Sequence, residues 1–457
     1  MFKGGSTPSI KAWWADFETI QFFPAGVPYD DGACVKALGD ASGSGQCVES
    51  PGKTPTDVRT YQWLDLPTSK LVQPRLPTTL VSPWNERPAQ LHGIASRDVH
   101  AKIRLLIDGL VNIKDTTGEF LLTLADGRVI DTKGWNDWEW THGIGLYGIW
   151  QYYTLVGTPS YLAIIEDWFA ARFAAGGTTK NINTMTVFLT LAHVYKHTGN
   201  KTYLPRLDSW GEWAYHDLER TKYGGMQHVT YLSLHDQQLW DDTLMMTVLP
   251  LATIGQVLGR PHYIAEAKKQ FLIHLRYLFD TETGLFFHGW TFAEGGHNFA
   301  RARWARGNSW LTIAIPEFLD LLGLDDKDPI GGHLITALAA QCEVLKPLQT
   351  SSGLWRTLLD VEDEASYVEA SATAGFAFGM LKAQRRRYIG RDYEEVAVKA
   401  VKAVLENINV DGELGNTSFG TAMGTALRHY KDIPITSMPY GQAMAMMALV
   451  EFLRVFI

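Results

Sequence analysis

The residues best equipped for chemistry fall in one stretch, from Trp240 to Trp310. It opens with Asp241 and Asp242 directly before an apolar run, TLMMTVLP, and closes with HGW and WARGNSW, which supply His288, Trp290, Trp304, Arg306 and Trp310. A carboxyl group can move protons. An arginine can grip a carboxylate through two parallel hydrogen bonds, and indoles can wall a ring that has apolar faces. An acidic sugar is a polar ring with apolar faces and a negative charge, and it fits this set. The competing structural reading puts the indoles in the core, pairs Arg306 with an acid and uses one aspartate as a helix cap.

Other polar, aromatic-rich segments add candidates. WEWTHG brings Trp138 and His142, TKNINT brings Asn181 and Asn183, and the loop before Trp240 brings His228. The histidines read as hydrogen-bonding groups, because their spacing forms no zinc pattern and the chain has no CxxC. No metal or other cofactor is expected. Of the three cysteines, Cys34 and Cys47 could close a local loop, and Cys342 sits in an apolar helical pattern as a buried thiol.

These residues need a large scaffold, and 457 residues at 46% hydrophobic content can bury one. A formal charge of -8 gives no basic footprint for nucleic acid. No apolar run is long enough to span a membrane, and no obligatory protein partner is implied. The first residues lack the apolar core of a secretory signal, so the expected location is cytoplasmic if this is the whole precursor and extracellular if a signal was removed.

Residues 1–93, rich in Gly, Pro and Ser, read as an irregular N-terminal extension docked through Trp13, Trp14, Phe22 and Phe23. Residues 94–457 carry the repeating pattern. Two short alternating runs flank Asp126-Gly127, a tight-turn signal for a β-hairpin. Twelve apolar helical patterns follow one another, at about 98–113, 144–153, 159–173, 183–197, 201–217, 242–258, 261–278, 307–322, 332–347, 367–384, 389–407 and 437–454. Glycines and prolines stop many of them. Too little strand sequence remains for a doubly wound sheet. The fold is all-α, either a solenoid or a closed ring of six hairpins, and the lack of a fixed repeat length favours the ring. In a ring, the polar segments at the starts of alternate helices meet around one opening, where free backbone N–H groups favour an anion.

The segments WEWTHGIGLYGI, LWDDTLMM, GLFFHGW, WARGNSW and YVEASATAGFAFG resemble the unsaturated uronyl hydrolases, most closely the unsaturated rhamnogalacturonyl hydrolases of glycoside hydrolase family 105. The resemblance spans residues 95–455. It implies an (α/α)6 barrel and an enzyme that removes a terminal Δ4,5-unsaturated galacturonyl residue from rhamnogalacturonan oligosaccharides by hydrating the C4–C5 double bond. Asp242 matches the family's catalytic aspartate, with Trp240 before it. A pKa raised by burial and by a neighbouring carboxylate would suit that work. Arg306 and Trp310 match its WxRGxGW segment, with Ser309 where the family has glycine. His288 and Trp290 match its H-x-W motif. At the position of the family's second aspartate this chain offers Asn181 or Asn183, so Asp241 could supply the missing charge. The resemblance also suggests that the loop of Trp355 and Arg356, before a helix containing Glu369 and Ser371, covers the pocket rim. The alternatives are an unsaturated glucuronyl hydrolase acting on another acidic polysaccharide, a noncatalytic acidic-sugar binding protein, and an epimerase on the same barrel.

Overall fold

The computed structural model describes residues 90–293 and 295–455, together with the antiparallel strands Ile20–Gln21 and Thr60–Tyr61. The chain divides into two units, Met1–Arg87 and Pro88–Ile457. The anchoring aromatics and the Cys34–Cys47 loop expected of the first unit lie outside the described residues.

The second unit is a closed ring of helical hairpins. In chain order these are α1 (Ser96–Asn112) with α2 (Trp140–Val156), α3 (Pro159–Ala174) with α4 (Val187–Thr198), and α5 (Leu204–Glu212) with α6 (Leu249–Leu258). They continue with α7 (Pro261–Leu278) and α8 (Ala305–Leu322), then α9 (Pro329–Leu348) and α10 (Ala370–Arg385). Helix α11 (Glu394–Glu406) is joined across the short α12 (Leu427–Lys431) to α13 (Pro439–Val455). The second member of each hairpin touches its counterparts on both sides, from α2 to α4, α6, α8, α10 and α13, and α13 packs back on α2. That last contact closes the ring and excludes the solenoid.

Sequence decides which helices are inside. Helix α1 buries Val99, Ile103, Leu106, Ile107 and Leu110 at helical spacing and gives its other face to water. Helix α2 instead buries every residue from Thr141 to Tyr152, and α10 and α13 are as completely enclosed. The inner helices also approach closely. A Cβ on Gly148 of α2 would lie 2.9 Å from the Ala443 Cα of α13, and one on Gly379 of α10 would lie 2.1 Å from the Thr312 carbonyl of α8. Overpacking of this kind costs ~1–3 kcal/mol. Left-handed caps at Gly157, Gly199, Gly259 and Gly323 end α2, α4, α6 and α8, as the glycine stops predict.

Two boundaries differ from the sequence reading. Helix α2 begins at Trp140 rather than near Ile144, because Glu139 and His142 form a reciprocal capping box and make the WEWTHG segment the first turn. The segment before Asp241 is not the approach to a helix but a strand, Gln238–Trp240, paired antiparallel with Gly289–Thr291. The predicted hairpin is present, with Leu121–Thr123 paired to Val129–Asp131 around Gly127.

Candidate active site

The inner helices all start at the same end of the ring, and every one but α10 contributes to a cavity of about 330 Å³ there. Glu139, Trp140 and Thr141 come from the start of α2, Asn183 from the turn before α4, and Asp242 and Met246 from the turn leading into α6. Trp304 and Arg306 come from α8 and Met438 from the approach to α13. Two loops complete the wall, one with His228, Thr230, Tyr231, Leu232, His235 and Trp240, the other running from Phe419 to Ala422.

Asp242 is aimed by the strand pair. Trp240 is in register with Gly289, and the Asp241 N–H donates to the His288 carbonyl at 2.9 Å. This sets His288 Nε2 3.3 Å from Asp242 Oδ2, close but off the line of a well-formed hydrogen bond. The other ring nitrogen, Nδ1, accepts from the Tyr430 hydroxyl at 2.6 Å, so Nε2 carries the hydrogen that faces Asp242. Trp240 stacks on His228 with ring centroids 4.1 Å apart, and His228 Nδ1 lies 2.9 Å from Thr243 Oγ1. Burial pulls His228 down to about 3 and lowers His288, so both rings are neutral at ordinary pH.

The two aspartates share one negative charge unequally. Asp241 is fully buried and turned away from the cavity, and neither of its oxygens has a hydrogen-bond partner. It fits against α8 only because residue 307 is glycine: a Cβ there would lie 2.2 Å from Asp241 Oδ2. Burial first, and the neighbouring Asp242 charge second, push its pKa well above the carboxylate range. Burial would also raise Asp242, but the His288 ring beside it more than reverses this and brings it to about 2. The raised pKa expected of Asp242 thus belongs to Asp241, because His288 stabilises the anion on one member of the pair alone. Asp241, Asp242 and His288 hold one donor atom each within 4.8 Å of one another. A divalent cation there would require Asp241 to give up its proton and leave Gly307, so the trio suits proton sharing better than coordination.

Arg306 is not a free clamp. It is completely buried, with Nη1 donating to the Ser418 carbonyl at 2.8 Å and to Ser418 Oγ at 2.5 Å, and Nη2 donating to the Phe419 carbonyl at 2.8 Å. Glu369 Oε1 lies 3.6 Å from Nη1 and accepts the Ser418 N–H at 2.9 Å. The guanidinium lies over the Trp304 and Tyr440 rings. The arginine, with Glu369 behind it, therefore braces the Ser418–Ala422 wall with three of its five N–H donors, leaving the Nε hydrogen and one on Nη2. Glu369 itself caps α10. Ser309 donates to the Arg306 carbonyl at 2.7 Å and faces Gly375 across the α8–α10 contact, which gives room for the extra hydroxymethyl.

Of the residues singled out in the sequence, Asn183, His228, Trp240, Asp242, Trp304 and Arg306 line the cavity, with Asp241 and His288 directly behind Asp242. The others do not reach it. His142 has both nitrogens engaged, Nδ1 accepting the Glu139 N–H at 3.0 Å and Nε2 donating to the Gly134 carbonyl at 2.7 Å. Trp138 donates to the Thr184 carbonyl and stacks on Trp210 in the core. Asn181 caps the turn at Thr184, Trp290 packs beside Tyr277, and Trp310 sits edge-on behind Trp140. The sequence reading missed Glu139 and Trp140, although both stand in the WEWTHG segment it named. Glu139 is buried, and burial pushes it up to about 8 against the pull of the Trp140 N–H and the Asn183 side chain. The Phe419–Ala422 wall carries no titratable group and gave no chemical signal.

The Glycosyl Hydrolase Family 88 profile matches residues 112–456. A solved structure from Salmonella enterica serovar Paratyphi A, described as a possible member of the GH105 family, is 57% identical and has a TM-score of 0.79 over 82% of this chain and 98% of its own. The unsaturated rhamnogalacturonyl hydrolase YesR of Bacillus subtilis is 29% identical over 69% of this chain and 90% of its own length. An unsaturated glucuronyl hydrolase specific for heparin shares the barrel, with a TM-score of 0.61 at 17% identity over 79% of this chain and 98% of its own. A ring of six helical hairpins agrees with those matches: the chain belongs to Glycosyl Hydrolase Family 88, with the GH105 proteins, and is a glycoside hydrolase.

Proposed function

We propose that the enzyme removes a terminal Δ4,5-unsaturated galacturonyl residue from rhamnogalacturonan oligosaccharides by hydrating the C4–C5 double bond, with Asp242 as the catalytic residue. The observation that carries the reading is the Asp241–Asp242 pair, which holds one proton beside a cavity walled by indoles. In the free site the proton sits on Asp241. A bound uronate brings a second negative charge next to Asp242 and favours transfer of the proton to it. Asp242 then protonates C4, and the positive charge that develops is shared by C5 and the ring oxygen. Water attacks C5 and returns a proton to the Asp242 carboxylate, which restores the acid. The resulting hemiketal opens at the C5–O5 bond to a C5 ketone. The oxygen freed at C1 collapses to an aldehyde and expels the next sugar, so one water is consumed per bond broken. His288, held by Tyr430, orients Asp242.

An anion at this end of the ring gains from the N-terminal dipoles of the inner helices and from the Arg306 charge behind the wall, without a direct clamp. The similarity to YesR, an unsaturated rhamnogalacturonyl hydrolase, supports a rhamnogalacturonan fragment, in which the unsaturated ring is followed by rhamnose, over fragments of other acidic polysaccharides.

The test is to offer the protein Δ4,5-unsaturated galacturonyl-rhamnose, a disaccharide with the unsaturated uronyl ring linked to a sugar of another acidic polysaccharide, and the saturated galacturonyl-rhamnose, following alkene absorbance and the released sugar. The alkene erases the C4 difference between galacturonate and glucuronate, so the next sugar decides: the rhamnose-linked unsaturated end should be consumed fastest and the saturated one left intact. Equal cleavage of saturated and unsaturated ends would reject hydration. Activity should also survive exhaustive chelation, and a loss restored by one divalent ion would overturn the metal-free mechanism.

A further inference from the structure

We propose that the aromatic face around Tyr223, outside the cavity, is a second carbohydrate site that binds internal stretches of an acidic polysaccharide. The choice of an acidic glycan as ligand rests on the reading of the cavity as a site for uronyl ends. The face itself is separate from the cavity, and none of its rings lines that cavity.

Trp290 is the member of the H-x-W motif that the cavity does not use. It stands directly opposite Leu239 in the strand pair, one step from the pair formed by Trp240 and Gly289. Side chains alternate between the two faces of such a pair, and Trp240 lines the cavity, so Trp290 points to the other face. There its ring centroid lies 5.4 Å from that of Tyr277 on α7, and the Tyr277 centroid lies 4.8 Å from that of Phe292. Phe292 is 5.4 Å from Tyr223, whose plane is 10° from that of Tyr277. Gln237 holds the pieces together: its carbonyl accepts the Phe292 N–H at 2.9 Å and its side-chain oxygen accepts the Lys222 N–H at 2.7 Å. A platform fixed in this way loses little freedom on binding.

Core packing accounts for Trp290, Tyr277 and Phe292, which are half-buried, but not for Tyr223, which is 57% exposed. The first helices of five hairpins run into a turn that closes on a left-handed glycine, Gly118, Gly224, Gly284, Gly353 or Gly412. The residue before that glycine is Thr117, Thr283, Ser352 or Asp411 in four of them, polar as suits a tip in water, and Tyr223 in the fifth. Two exposed cations edge the same rings. Lys222 Nζ lies 5.3 Å from the Tyr223 centroid and the Arg276 guanidinium 5.4 Å from that of Tyr277. Neither has an ion-pair partner among the described residues, and Glu266 of α7 is taken by Arg220 and Lys269. A sugar chain stacks its C–H faces on such rings, and its carboxylates meet the cations. Single-stranded nucleic acid also uses rings and cations, but a chain with a net charge of -8 repels it.

The experiment is affinity electrophoresis of the full-length protein in native gels cast with rhamnogalacturonan, with its carboxyl-reduced form, with single-stranded DNA or with no polymer. A polymer offers many internal sugars and few ends, so the cavity contributes little to retardation. Wild type should be retarded by rhamnogalacturonan and less by the carboxyl-reduced polymer. Tyr223→Ala should weaken the apparent affinity for both polymers roughly tenfold. Arg276→Glu, compared with its own mobility in the empty gel, should weaken it for the acidic polymer alone and keeps the test decisive if Tyr223→Ala folds poorly. Both variants should keep wild-type kcat and KM on an unsaturated disaccharide. No retardation of the wild type, equal retardation of the wild type and both variants, or retardation by DNA as strong as by rhamnogalacturonan would overturn the proposal. A disaccharide KM that rises as retardation is lost would place the face in the active site and overturn a separate one. Failure of the wild type to consume any unsaturated end, with retardation intact, would instead overturn the functional reading and support the face.

Discussion

Gly307→Ala isolates the fit between the acid pair and α8. The new Cβ would stand 2.2 Å from Asp241 Oδ2 and 2.9 Å from both Cγ and Oδ1, where ordinary contact begins near 3.4 Å, so the carboxyl must retreat by about 1.2 Å. Alanine improves the helix by ~0.5–1 kcal/mol, and overpacking costs ~1–3 kcal/mol. The net loss of stability should be ~0–2.5 kcal/mol. Asp241 and Asp242 are adjacent at the end of one strand, so the displacement passes directly to the Asp242 carboxyl proposed as catalyst. A misplacement of ~1 Å typically costs about 10²-fold. Chemical denaturation and steady-state kinetics on an unsaturated disaccharide should therefore give a protein of nearly normal stability with kcat down ~100-fold. Combining it with Asp241→Ala removes the atoms struck by the new methyl, so the stability effects should be non-additive by ~1–2 kcal/mol. A Gly307→Ala enzyme with wild-type kcat, or strictly additive stabilities, would refute the steric argument.

Asp242→Asn should fold normally and lose 10²- to 10⁴-fold in kcat, because an amide cannot exchange the proton; near-normal turnover would remove Asp242 as catalyst. Arg306→Ala leaves Glu369 buried without its cation, so it should lower stability by ~3–5 kcal/mol and loosen the Ser418–Ala422 wall. A raised KM at unchanged melting temperature would instead mark a direct uronate clamp. Glu139 is neutral in both folded and unfolded chains below pH ~4.5, but from there to about 8 only the unfolded chain ionises. Its contribution to stability is thus present at low pH and is lost as pH rises to about 8, on the order of 5 kcal/mol in all. Glu139→Gln should gain stability relative to wild type between pH 5 and pH 8, and parallel melting curves across that range would contradict the raised pKa.

The ring and the acid pair were legible in the sequence for a common reason: both are local patterns. Helical periodicity, glycine stops and the LWDD and WARGNSW segments each lie within a few residues, and the structure has the helices close to the expected places. What the sequence did not carry is direction. In WEWTHG the reading chose Trp138 and His142, one helical turn apart, whereas the wall is made by Glu139, Trp140 and Thr141 between them. The capping box takes up Nδ1 of His142 and the Gly134 carbonyl takes Nε2, and together they fix the start of α2 and orient the segment. Arg306 was misjudged in another way. Its partners, Ser418 and Phe419, stand over a hundred residues away in a segment without charge, so nothing near it in sequence signals that most of its donors brace that wall.

The assignment of protons also depends on such long-range pairing. Two adjacent aspartates look interchangeable in sequence, and either could cap the following helix. The strand pair Gln238–Trp240 with Gly289–Thr291 makes them different, because it sets His288 against Asp242 and leaves Asp241 facing Gly307. Tyr430 then fixes the histidine tautomer from the far side of the ring. The same residue pair thus becomes a buried acid and a partly buried carboxylate that reaches the cavity. In the proposed mechanism a second negative charge in the cavity shifts the proton between them, so the acid form of Asp242 forms where and when an anionic sugar is bound.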